Sequence, residues 1–282
     1  MGISLQADEH FLALNRQLIE DGADVYEINP ETLWEAGGKP GPLHALFRDI
    51  LEQSGRPAVG HGILYSLGAA TTPARRSTWL QALKRDQETF RFLWYSDHLG
   101  FADQGGRHLA LPLPLPPDDD TIIAVKQNLS PLAELFPMVL FENNVGYFAL
   151  GDPLSEPDLF TDLCAQTGCG MVLDLHNAYT SCVNFGVDLS SWLEKIPWDS
   201  VIQIHLSGGS NTDKDWFGGA KTFRLDTHDH PVPEPVWEAF EATLPHCPNL
   251  RAVIVEWLPA GMDKAAAKLF AKDFERARKI AC

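Results

Sequence analysis

Short apolar runs alternate with amphipathic stretches along the whole chain, and seven of the runs end on or beside a residue that can bind a metal. VYEIN carries Glu27, PAVGH ends on His61, FRFLWYSDH ends on Asp97 and His98, and MVLFE ends on Glu142. GMVLDLH carries Asp174 and His176, VIQIH ends on His205, and AVIVEW carries Glu256. Runs this short and apolar at consecutive positions read as parallel strands buried on both faces. GISLQ, at residues 2–6, is a weaker first strand. Helix patterns lie between the runs. Residues 10–21 put Phe11, Leu12, Leu14, Leu18 and Ile19 on one face, and residues 42–54, 74–89, 122–136, 159–168, 189–197 and 233–247 follow with helical patterning. The last stretch, 263–280, is alanine-rich and basic at its end, which favours a closing helix.

Eight strand candidates, each followed by a helix or by a loop and a helix, predict an α/β fold of the (β/α)8 TIM-barrel type, with residues 1–282 as a single domain. A doubly wound sheet is the runner-up, but no glycine-rich phosphate loop supports it. Residues 100–120 are rich in proline, which forbids a regular helix or a central strand, so they are expected to form a long loop after the fourth strand.

In a parallel barrel the carboxyl ends of all strands meet at one face. His61, His98, Glu142, Asp174, His205 and Glu256 therefore converge, joined by Asp226 and His228 from the segment LDTHDH. Asp226 and His228 are two apart, so an extended loop points both the same way. Four imidazoles and four carboxylates cannot share a dry mouth unpaired, and divalent cations resolve the conflict. A mixed His/carboxylate set suits Fe, Mn or Zn, and the ligands exceed what one ion needs. Plainer readings exist for each position. A lone buried histidine is commonly a hydrogen-bonded core residue, a carboxylate at a strand end often caps the next helix, and Asp97 could simply orient the neighbouring His98 imidazole. His10, His44, His108 and His246 sit in helix or loop contexts and read as solvated.

Charge narrows the function classes. The formal net charge is -16, which repels phosphate backbones and argues against nucleic acid as a partner. No apolar run approaches the roughly 20 residues of a membrane span. The first residues show no secretory pattern, so a cytoplasmic protein is expected. The five cysteines, Cys164, Cys169, Cys182, Cys247 and Cys282, are odd in number and form no C-x-x-C pair, as in a reducing compartment.

Several segments in order carry a resemblance: INPETL, GHGILYSLG, SDHL, FENN, LDLHNAYTSCVNFG, IHLSGG, LDTHDHPVPEPVWE and the final VEW. Together they resemble the DUF692 family, the multinuclear non-haem iron-dependent oxidative enzymes. The resemblance implies a TIM barrel with two or three iron ions, mixed-valent, at its mouth and O2 as co-substrate. It implies that His61, His98 and Glu142 hold one ion and that Glu142 bridges to a second, bound also by Asp174, His205 and Glu256. Asn177, Asp226 and His228 would form a third and weaker site, because an amide oxygen is a poorer ligand than a carboxylate. His176 falls where family members vary, and it is an alternative ligand or, with Asp97, a supporting residue. The implied substrate is a ribosomally made precursor peptide, modified most often at cysteine, and a separate small partner protein is expected to present it. The residues identify no general base. The alternatives are a metal-dependent barrel of the sugar isomerase or endonuclease IV type, which would want a basic groove or a catalytic lysine that this chain does not display, and a non-enzymatic metal binder.

Overall fold

Eight parallel strands close on themselves in chain order. They are β1 (Gly2–Leu5), β2 (Val25–Ile28), β3 (Ala58–Gly62), β4 (Tyr95–His98), β5 (Val139–Glu142), β6 (Gly170–Asp174), β7 (Val201–Leu206) and β8 (Ala252–Val255), with β8 hydrogen-bonded back to β1. Closure rules out the doubly wound sheet and makes the fold the expected (β/α)8 barrel. The computed structural model describes residues 1–104, 107–219 and 221–281, with Gln104, His108, Ala110 and Phe217 described by backbone alone. The side chain of His108, expected to be solvated, and the whole of Cys282 therefore lie outside what is described.

Side-chain alternation explains the barrel's interior. Val25, Val59, Trp94, Leu140, Val172, Ile202, Ala252 and Ile254 form one buried cluster inside the barrel, towards the amino ends of the strands. Two residues further along each strand the side chain again points inwards. Those positions are Glu27 after Val25, His61 after Val59, Ser96 after Trp94, Glu142 after Leu140, Asp174 after Val172 and Glu256 after Ile254. An apolar floor thus carries a polar storey.

β7 breaks the count. Its register against β6 shifts, so that Met171 pairs with Val201 but Val172 pairs with Gln203. The extra residue is a bulge, which lets both Ile202 and Gln203 face inwards. His205 then faces inwards as well, and Ile204 joins the outer core against the helices.

The helices α1 (Glu9–Leu14), α2 (Pro42–Ser54), α3 (Arg76–Phe90), α4 (Asp119–Ala133), α5 (Glu156–Thr167), α6 (Leu175–Phe185), α7 (Leu189–Leu193), α8 (Glu234–Thr243) and α9 (Lys264–Ala281) cover the outside. In α9 the buried Phe270, Phe274 and Ala277 make the inward stripe.

Three expectations need correction. The helix expected over residues 10–21 is interrupted at Asn15, whose side chain donates to the Phe11 carbonyl at 2.9 Å beside its own backbone N–H at 3.1 Å, and a wide turn (Leu18–Gly22) follows. Within residues 100–120, the strands Phe101–Gln104 and Arg107–Leu113 pair as an antiparallel hairpin instead of a loop. A two-stranded ribbon has two free edges, so Pro112 removes no ladder bond that a third strand would need. His44 is buried rather than solvated: its Nε2 lies 2.9 Å from Asp86 Oδ1 and its ring packs against Phe90. His10 and His246 are exposed.

A candidate metal centre at the barrel mouth

The polar storey is organised by hydrogen bonds that fix which nitrogen of each imidazole carries a proton. His61 Nδ1 lies 2.8 Å from Ser96 Oγ, and Ser96 Oγ donates to the Gly60 carbonyl at 3.2 Å. The hydroxyl proton is committed there, so His61 Nδ1 must donate and its Nε2 is left with a lone pair. His98 Nδ1 lies 2.7 Å from Asn144 Oδ1, and the Asn144 amide is oriented by donating Nδ2 to the Leu99 carbonyl at 2.6 Å. His98 Nε2 is therefore also a lone pair.

Both Nε2 atoms point at one oxygen, Glu142 Oε2, at 3.2 and 3.1 Å. That oxygen is buried and has no hydrogen-bond partner. Two imidazole lone pairs facing a carboxylate oxygen repel one another unless a cation or a proton lies between them.

The other oxygen of Glu142 faces a different set. Oε1 is 3.0 Å from His205 Nδ1. That nitrogen also lies 3.4 Å from Glu256 Oε2 and 3.9 Å from Asp174 Oδ2. Beneath it, His205 Nε2 donates to Glu27 Oε2 at 2.9 Å. Glu27 is fully buried and also accepts from Gln203 Nε2 at 2.6 Å, while Gln203 Oε1 accepts from Trp94 Nε1 at 2.8 Å. Glu27 is thus the carboxylate that orients His205 from below, not a group facing a substrate.

Asp174 serves two readings at once. Its Oδ1 caps α6 by accepting from Asn177 N at 2.6 Å, while its Oδ2 is buried and unpartnered. Asn143 clamps the same strand end, accepting from Asp174 N and donating to Asp174 O, both at 2.9 Å. Asn177 stands in the first turn of α6 rather than in a loop. It donates Nδ2 to the Asn143 carbonyl at 3.1 Å and leaves Oδ1 unpartnered.

Across the mouth, Asp226 Oδ1 lies 2.7 Å from His228 Nε2 and 2.9 Å from His176 Nδ1. His228 Nδ1 is 3.5 Å from Glu256 Oε2. The loop is not the extended segment expected, since His228 has a φ of 49°, a left-handed conformation unusual for a side chain of this size. Its carbonyl accepts from Leu258 N at 2.8 Å, which pins the turn. His230 points elsewhere, exposed and paired with Asp229. His176 is buried, with Thr180 and Arg224 within 3.3 and 3.2 Å of Nε2.

Asp97 does not touch His98. Neighbours on a strand face opposite ways, and Asp97 points outwards to accept from the Tyr95 hydroxyl at 3.0 Å. Burial, helped by Glu31, pushes its carboxyl well above the usual range. The orienting role expected of Asp97 belongs to Asn144, whose signal in the sequence is the FENN segment two residues beyond Glu142.

The electrostatics are those of a cluster short of positive charge. Burial opposes ionisation of Glu142, yet His98, His61 and His205 hold it well below the ordinary value. Burial disfavours protonating His61, but Glu142 and Glu27 overcome it and push His61 up to about 9. In the same way Asp226 pushes His228 up to about 10 against burial. Burial lowers His98 and His176. It raises Asp174 well above normal, with Glu142 and Asp226 adding to it, and pushes Glu256 up to about 7. Protons are shared where cations could sit.

Among the described residues, one donor atom from each of His61, His98 and Glu142 comes within 4.8 Å of the others. So do those of Glu142, Asp174 and His205; of Asp174, His228 and Glu256; of Glu27, His205 and Glu256; and of His176, Asp226 and His228. The cavity above them, about 280 Å³, is rimmed by Tyr147, Leu111 and Leu258.

A model of the family described as RiPP precursor modification enzyme MbnB/TglH/ChrH matches residues 1–281. A UPF0276 protein of Rhizorhabdus wittichii is 34% identical over 224 residues, covering 78% of this chain and 74% of that protein. One from Caulobacter vibrioides is 31% identical over 234 residues, covering 82% and 77%. Among solved structures, a xylose isomerase domain containing protein from Salmonella typhimurium aligns with a TM-score of 0.63 at 13% identity, over 99% of this chain and 96% of that one. Endonuclease IV from Thermus thermophilus aligns with a TM-score of 0.59 at 17% identity, over 99% and 98%. Likeness at such identities is one of fold.

Proposed function

The chain belongs to the family of RiPP precursor modification enzymes described by MbnB, TglH and ChrH, and from that premise we propose that it is a multinuclear iron enzyme using O2 to oxidise a residue, most directly cysteine, of a ribosomally synthesised precursor peptide. The observation that carries the reading is Glu142. Its two oxygens face separate imidazole sets, and the oxygen between His61 and His98 has no hydrogen-bond partner.

The residues fit a resident metal on the chemistry of their donors. His61, His98 and Glu142 would hold one ion. Glu142, Asp174, His205 and Glu256 would hold a second, and Asn177, Asp226 and His228 a third, with His176 supporting Asp226. Iron bound there supplies a redox centre for O2 and a Lewis acid that suits a soft thiolate. Ser96, Asn144 and Glu27 each hold the far nitrogen of one histidine, so once the shared protons leave, the near nitrogen would meet a metal without the ring turning. The apolar floor excludes water beneath the centre, and Tyr147, Leu111 and Leu258 confine the approach from above. A peptide thiolate entering this mouth is accepted only once the carboxylates have been neutralised. A separate partner protein that presents the peptide belongs to the same reading.

The test is aerobic purification with metal analysis, followed by addition of a cysteine-bearing peptide. Iron at more than one atom per chain, a visible thiolate charge-transfer band and O2 uptake are expected. Glu142→Ala should abolish metal retention and turnover together, whereas the exposed His246→Ala should change neither. Zinc alone with no O2 uptake refutes the oxidase, and a full iron complement in Glu142→Ala refutes the bridge.

A further inference from the structure

Behind the wall that carries His98 lies a second cavity that the metal centre does not use. It opens between the segment leaving the hairpin, the loop after β5, and helices α5 and α6. The two cavities share their partition. Val145 and Tyr147 line the metal mouth, while Gly146 and Phe148, alternating with them, line the cleft. His98 likewise faces the mouth and Leu99, the next residue, lines the cleft. The partition is tightly packed at Gly146, where an added Cβ would meet the Phe185 ring at 2.7 Å and the N–H donates to Ser181 Oγ at 2.7 Å.

The cleft is apolar at its base, where Phe160 and Trp192 are buried, and apolar at its rim, where Phe148 and Leu150 stand 47% and 44% exposed. Apolar side chains exposed side by side at the edge of a cavity mark a recognition surface more often than chance. Among the described residues, the charged groups that line it are both carboxylates, Asp152 and Glu156. Asp152 Oδ1 is already committed to capping Leu154 N at 3.0 Å. Glu156, in the first turn of α5, is half-buried against the apolar wall. Burial pushes its carboxyl up to about 7, against a hydrogen bond from Trp192. With Trp192 as its donor, this carboxylate against apolar surface ionises more readily when an occupant of the cleft brings a cation.

We propose that this cleft is a recognition subsite for the substrate peptide, taking an apolar side chain that is flanked by a basic residue and lies a few positions from the residue delivered to the metal centre. The proposal rests on reading the mouth as a peptide-modifying centre. An extended peptide advances about 3.3 Å per residue, so a few residues would carry it over the loop from one cavity to the other. Its alternating side chains can enter two cavities that a single loop divides. The acidic rim selects a lysine or arginine and disfavours an acidic neighbour.

The experiment reads binding, not turnover. Iron-loaded protein, kept anaerobic, is titrated calorimetrically with blocked hexapeptides that carry one cysteine and, three residues away, a leucine–lysine, serine–lysine or leucine–glutamate pair. Leucine–lysine should bind tightest. Serine in place of leucine should weaken it about tenfold or more, the effect of burying one such side chain, and Leu150→Asp should erase that preference. Glutamate in place of lysine should weaken binding several-fold, and Glu156→Gln should narrow that gap. Circular dichroism and iron content equal to wild type establish that both variants are folded. Equal affinity for all three peptides, including none measurable, overturns the subsite, as does an unchanged preference in both variants. Discrimination among the peptides, with no O2 consumption when the same peptides are then supplied aerobically, refutes the catalytic reading and leaves the cleft standing, whereas aerobic turnover without discrimination in binding refutes the cleft alone.

Discussion

Glu27→Gln isolates the carboxylate beneath the metal centre without altering any proposed ligand. Glu27 accepts from His205 Nε2 at 2.9 Å and from Gln203 Nε2 at 2.6 Å. Burial raises its pKa, but His205 and His61 outweigh burial and bring it from 4.5 to about 2. That difference corresponds to about 3 kcal/mol of stability in the metal-free protein. The folded value is depressed, so the contribution is present above about pH 4.5 and is lost as the pH falls through 2. Urea denaturation of the metal-free protein should show Glu27→Gln less stable at pH 7, with a gap that shrinks to about half at pH 3. The metal centre should register the change too. A neutral amide holds His205 Nδ1 less firmly as a lone pair and leaves it less basic, so metal affinity, measured by chelator competition, should fall about 10- to 100-fold. A stability gap that is equal at both pH values, or a metal affinity within twofold of wild type, would refute the role assigned to Glu27.

Other perturbations follow from the same geometry. Asn144→Ala removes the acceptor of His98 Nδ1, so the imidazole should lose its fixed orientation and metal affinity should drop by about tenfold, checked by chelator competition. Asn177→Asp replaces the amide ligand proposed for the third ion by a carboxylate; metal analysis after gel filtration should show that ion better retained than in wild type. Asp273, on α9, accepts from Val232 N at 2.9 Å and is pushed up to about 6 by burial. Its folded value is raised, so its favourable contribution is full below about pH 4 and is lost as the pH rises through 6. Asp273→Asn should therefore gain on wild type between pH 4 and pH 8 by roughly 2 kcal/mol, read as a divergence of the two thermal melting profiles.

The barrel and most of the mouth were legible because two periodicities coincide. Strand after strand places a polar residue two positions beyond an inward apolar one, as Val59 and His61 or Leu140 and Glu142 do. The same rule would have excluded Asp97 as a partner of His98, since adjacent residues of a strand face opposite sides. It would also have shown Glu27 in phase with Val25 and therefore inside the barrel. The bulge in β7 was not legible, because Val201, Ile202 and Ile204 are all apolar and fit either face. Nor was the burial of His44, which depends on Asp86 arriving from another helix. The hairpin within residues 100–120 was hidden by prolines that a free ribbon edge tolerates.

The bulge in β7 carries a lesson about inheritance. Every other strand reaches the mouth on an even count from the barrel floor, and β7 reaches it on an odd one. Removing Ile202 would let Val201 and Gln203 alternate in the ordinary way, with Ile204 still facing the helices and His205 still facing inwards beside Asp174. The barrel floor would lose Ile202 and leave Gln203 alone between Trp94 and Glu27, yet Glu142 would keep the imidazole that faces its second oxygen. One codon therefore separates a floor closed by Ile202 from one left open beneath the cluster, while the face on which His205 stands is the same with or without the bulge.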